Sequence, residues 1–116
     1  MLLLLASLLA TSAPDHAHPS WMVGTWGWQN PGERGTDCGS DHDATYDRDG
    51  SYNFMDERGY WRIEGDRLIE TMLSPGGTGD PALRGKPQVM RFVRVGKNAL
   101  RILAPARGKL IKCPAG

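Results

Sequence analysis

From residue 20 onward, short runs of β-branched and aromatic residues are broken by turn-forming clusters every eight to twelve residues or so, the rhythm of an all-β sandwich or barrel. The clearest break is "YDRDGSY", where Asp49-Gly50 stands between Tyr46 and Tyr52 as a tight hairpin requires. Further turns are predicted at Arg58-Gly59, at Gly65-Asp66, around Gly96 to Asn98, and through Pro105 and Gly108. The strands between them are Met22–Gln29, Asp43–Asp47, Ser51–Met55, Tyr60–Glu64, Arg67–Leu73, Gln88–Val95, Ala99–Ala104 and Lys109–Cys113. Eight short strands joined mostly by tight turns predict a small antiparallel up-and-down barrel.

Alternation within the strands is visible but imperfect. Trp61 and Ile63 fall on one face, with Tyr60, Arg62 and Glu64 on the other. In the sixth segment Val89, Val93 and Val95 oppose Met90 and Phe92, so both faces carry apolar residues. No helical period lasts beyond two turns after the leader. One stretch interrupts the rhythm: "SPGGTGDPALRGKP", residues 74 to 87, reads as a long loop. Loops of that length in a compact domain are often functional rims, though a plain solvent loop fits equally well.

The first residues follow a different pattern. Leu2 to Ala10 is an apolar run of signal-peptide length, far too short to span a bilayer, and Pro14 and Asp15 end it abruptly. We expect a signal peptide over residues 1–13, cleaved after Ala13 with Ala10 as the rival site, a flexible tail over 14–20, and one domain over 21–116. Cleavage after Ala13 would leave Pro14-Asp15-His16, whose amine, two amides and imidazole could wrap Cu(II) in a plane. Export to the periplasm or medium also suits the cysteines. Cys38 and Cys113 are an even pair in an oxidising space, so a disulfide is expected. The alternative is a reactive Cys38 beside His42. At 116 residues, 40% apolar, 23% charged and net +1, the chain suits one globular domain and lacks the basic excess of a nucleic-acid binder.

"WMVGTWGWQN" sets Trp21, Trp26 and Trp28 at the start of the first strand. Within it, Gly24-Thr25-Trp26 matches the G-x-W signature of lipocalins, and the layout of the whole mature chain resembles small bacterial lipocalin-like domains. The Inh-type barrel protease inhibitors are similar in size and export. The resemblance implies that Trp26 plugs the closed end of the barrel and that a late cation, Arg101 by position, packs across it. Gly59-Tyr60-Trp61 repeats the motif by chance. From the residues alone, Trp21, Trp26, Trp28 and Trp61 are core or interface indoles, with ligand stacking as the other reading.

Other chemistry is weaker. "TYDRDGSYNFMD" imitates a calcium loop, but Thr45 and Asp56 stand where an EF-hand needs Asp and a bidentate Glu. His16, His18 and His42 with Asp15, Asp41 and Asp43 lack zinc-site spacing and read as solvated. Neither a G-x-S-x-G elbow nor a P-loop is present, so we expect neither an enzyme nor a cofactor. The expectation is an exported binding protein holding a small apolar ligand, with Gly24, Trp26, Trp28, Trp61 and Arg101 at the ligand site or barrel floor. The alternative is a protein-binding inhibitor or envelope structural factor. An apolar cavity of about 300 Å³ or more would favour the first. A filled barrel with an exposed aromatic patch would favour the second.

Overall fold

In the computed structural model every strand pairs antiparallel with its neighbour in sequence, and the first closes onto the last, giving a closed eight-stranded barrel. The structure describes residues 17–40 and 42–114; the signal peptide expected over residues 1–13, the Pro14-Asp15-His16 segment and Asp41 lie outside the described residues. The strands are β1 (Gly24–Gln29), β2 (Ala44–Tyr46), β3 (Ser51–Phe54), β4 (Glu57–Glu64), β5 (Arg67–Ser74), β6 (Pro87–Arg94), β7 (Ala99–Ala104) and β8 (Gly108–Lys112). Among the described residues no helix is long and apolar enough to cross a membrane.

Cross-strand pairs share a face, so the register identifies the interior. One rung runs Gly24, Tyr46, Tyr52, Gly59, Met72 around β1 to β5; the next runs Trp26, Ala44, Phe54, Glu57. Trp28, Leu110 and Leu100 continue the inner wall on β1, β8 and β7. Met90 and Phe92 point inward from β6, while Val89 and Val93 are left exposed outside.

The second turn is not at Arg58-Gly59. β3 turns into β4 at Met55-Asp56, and Arg58-Gly59 lies inside β4 at a bulge against β5. Met55 takes the left-handed conformation (φ 54°) that a two-residue hairpin needs, although glycine would adopt it more cheaply. Gly59 serves packing instead. A Cβ there would lie 2.1 Å from the Thr71 carbonyl oxygen and 2.8 Å from the Tyr52 ring. The loop after β5 also holds a 3₁₀ turn, Pro81–Leu83, with the Asp80 carboxylate accepting from Ala82 N at 3.0 Å.

The two ends of the barrel differ. At one, the turns are short and a 3₁₀ turn, Ser20–Met22, leads into β1. There Met22 is fully buried, and the Trp26 indole donates to its carbonyl at 2.9 Å. Residues 17 and 18 already lie against the barrel, His18 sharing a 2.8 Å hydrogen bond with the Trp61 carbonyl. The other end carries the long connections 30–43 and 75–86. The first of these folds back along the outside of β1. Asp37 N donates to Trp28 O at 3.1 Å, and Cys38 is disulfide-bonded to Cys113. Gly27 makes that path available, because a Cβ would sit 2.6 Å from Cys38 N.

Candidate functional site

The barrel is not filled by its own side chains. Toward the end bearing the long loops it holds a solvent-open cavity of about 350 Å³. Trp26, Trp28, Ala44, Tyr46, Phe54, Met90 and Leu110 line most of it, and Asp37 and His42 reach it from the 30–43 loop. From the strands themselves a charged side chain joins this apolar wall, Glu70 of β5. The hollow follows from local sequence: Ala44 stands between Trp26 and Phe54 in register, and two large rings flanking one methyl leave space in front of it.

Glu70 is held by a tyrosine. Tyr46 Oη donates to Glu70 Oε2 at 2.5 Å, and a parallel pair forms alongside, Tyr52 Oη donating to Glu57 Oε2 at 2.6 Å. The two rings lie 6.2 Å apart. Burial raises the Glu70 carboxyl above the ordinary carboxylate range. The Tyr46 hydrogen bond opposes that rise, and the nearby Glu57 charge adds to it. Burial first, then the facing carboxylate, pushes the Tyr46 phenol well above its usual value; Tyr52 moves the same way, from burial and its bond to Glu57. Both ion pairs among the described residues, Arg62–Glu64 and Arg91–Asp66, lie on the surface, so neither involves Glu70.

The residues expected at the site are divided. Trp26 and Trp28 meet at the cavity. Trp28 is half-buried, its indole donating to Asn30 Oδ1 at 2.7 Å and lying over Gly108, where a Cβ would be 2.3 Å from the ring. Trp61 is buried elsewhere in the core, edge-on to Tyr46 at 5.7 Å and to His18 at 4.9 Å, with its indole donating to Asp47 O. Gly24 is at the closed end, where a Cβ would lie 2.8 Å from Lys112 Cε. Arg101 is exposed, paired with Val93 and Lys109 across the sheet. The cation over Trp26 is Lys112, whose Nζ lies 5.9 Å from the ring centroid and donates to Trp21 O at 3.3 Å. The shift has a simple cause. Lys112 is the register partner of Trp26 on β8, whereas Arg101 occupies an outward position of β7.

Glu70, Tyr46 and Lys112 were not singled out by the sequence reading. A signal for Glu70 did exist: in Leu68-Ile69-Glu70-Thr71-Met72 it shares the alternation face of Leu68 and Met72, an acid where the period calls for an apolar residue. Comparison with family models, curated proteins and solved structures finds no match to this chain.

Proposed function

We propose that the protein is an exported, lipocalin-like carrier that holds one small, largely apolar molecule in the loop-bearing end of its barrel. The observation that carries this reading is the cavity of about 350 Å³, within the size range of small-molecule sites and lined mainly by aromatic and aliphatic side chains, with Glu70, Asp37 and His42 as its ionisable members. The Trp26 plug at the opposite end, with a 3₁₀ turn before it and a cation over its ring, supports the lipocalin-like assignment. The apolar leader and the Cys38–Cys113 bond support export, since such bonds persist in oxidising compartments.

A second reading, a protein-binding inhibitor or envelope factor, draws support from Val89, Val93 and Leu103, exposed on the outside of β6 and β7. The two are separated by native mass spectrometry of the protein isolated without denaturation, compared with Ala44→Trp, which puts an indole into the hollow. The carrier reading expects a one-to-one adduct of low mass on the wild-type chain and its loss in the variant. An adduct of protein mass, equal in both, would replace the carrier with the partner reading.

A further inference from the structure

Glu70 is chemically mismatched with the mostly apolar barrel wall in which it stands. A carboxylate is costly to keep in an apolar enclosure unless a positive charge or several donors compensate it. Glu70 has one recorded donor, Tyr46 Oη on Oε2; among the described residues its Oε1 accepts from nothing and is not sealed away from a solvent-sized probe. Its surroundings worsen the imbalance. Facing it from β2, β3 and β4 are Tyr46, Tyr52 and Glu57, and from the 30–43 loop the cavity receives Asp37 and His42. Neither lysine nor arginine lines this cavity among the described residues. A bound anion would meet Glu70 and Asp37 together, with the Glu57 charge nearby, and a wholly apolar ligand would leave Oε1 unmatched.

We propose that the molecule carried in this cavity is a compact amine, its ammonium received by Glu70 and its apolar body packed against the indoles of Trp26 and Trp28 and the Phe54 ring. This rests on the carrier reading and adds the ligand's chemical class. The ammonium supplies the missing charge and its N–H donors reach the free oxygen, a charge-assisted contact of the strong kind. Aromatic faces on the wall also attract a cation that approaches them. Tyr46 fixes the carboxylate's orientation by holding Oε2, which leaves Oε1 for the ligand.

The test is calorimetric titration of the disulfide-bonded protein with 2-phenylethylamine and with its neutral counterpart 2-phenylethanol, together with the neutral apolar fluorophore N-phenyl-1-naphthylamine. The amine is expected to bind one-to-one and roughly ten- to a hundredfold tighter than the alcohol, the worth of a charge-assisted hydrogen bond. In Glu70→Gln that ratio should fall to near one. If the variant does not fold, the wild-type protein still decides. Amine affinity should fall as acid protonates Glu70, while alcohol affinity stays level. Equal binding of amine and alcohol, insensitive to pH, overturns the inference and leaves the carrier reading standing. Failure of all three probes to bind overturns both.

Discussion

Replacing Trp26 with alanine removes a large, fully buried side chain at the closed end of the barrel. The side chain is 1% exposed, and an indole this enclosed takes roughly 200 Å² out of water. At about 25 cal/mol per Å² that area corresponds to roughly 5 kcal/mol, an upper estimate because the unfolded chain already buries some of it. The lost indole bond to the Met22 carbonyl adds about 1 kcal/mol, and the Lys112 contact about 0.5 kcal/mol. One effect runs the other way. Trp26 borders the existing cavity, so its removal widens an open space instead of leaving a sealed void. The expected loss is therefore about 3 to 5 kcal/mol, the usual cost of deleting a buried tryptophan. Trp21 is half-buried and is held by Phe92 at 6.0 Å and by Arg94, 4.2 Å above its ring. Partial burial and one exposed cation–π contact put Trp21→Ala near 2 kcal/mol. Trp26→Phe keeps a ring in the floor but drops the hydrogen bond, and should fall between. Urea unfolding followed by far-UV circular dichroism measures all three without relying on tryptophan emission. Equal losses for Trp26→Ala and Trp21→Ala would refute the floor assignment.

Four further outcomes follow from the same geometry. Opening the Cys38–Cys113 bond, by replacing both residues with serine, frees a sequence separation of 75 residues and should cost roughly 4.5 kcal/mol on chain-entropy grounds, read as a lower urea midpoint. Gly59→Ala forces a methyl toward the Thr71 carbonyl at 2.1 Å and should destabilise by about 2 kcal/mol, whereas Gly65→Ala, with no atom near its Cβ, should lose only its left-handed turn preference. The pH dependence has a definite sign. Glu70 titrates higher in the folded state than in the unfolded one, so its charge opposes folding near neutrality and the penalty fades as pH falls from that raised value toward 4.5. Glu70→Gln should thus be more stable than wild type at pH 7, with the margin shrinking in acid. Tyr46 and Tyr52 act at the other extreme: their phenols stay protonated in the fold above pH 10.0, so stability is lost as pH rises past that value. Two of the three tyrosines should resist ionisation in an ultraviolet titration until the barrel unfolds.

The barrel was legible in the sequence because its signals are local. Asp49-Gly50 and Gly65-Asp66 turn where their backbone preferences require, and the alternation of Trp61 and Ile63 survives into the fold. Gly59 misled for a physical reason: a glycine that exists to admit a tyrosine ring and a neighbouring carbonyl looks the same in sequence as one that turns the chain. The site was less legible because it depends on register between distant strands. Trp26, Ala44 and Phe54 become one wall only when β1, β2 and β3 align, and Lys112 comes to lie over Trp26 only when β8 closes the barrel. Arg101 satisfied the order of the chain but not its phase, falling on the outward face of β7. The Cys38–Cys113 pair could be read from the count of cysteines alone, although the route of the loop that carries Cys38 down past Gly27 could not.

On the carrier proposal, the interior of this barrel, and not its outer wall, is the binding surface. Methyl-labelled protein titrated with N-phenyl-1-naphthylamine and followed by two-dimensional NMR locates the contact directly. Inward methyls of Ala44, Met90 and Leu110 should shift together with one saturating dissociation constant, while Val89, Val93 and Leu103 on the outer wall stay in place. Shifts confined to Val89, Val93 and Leu103, with the interior methyls unmoved, would contradict the carrier account.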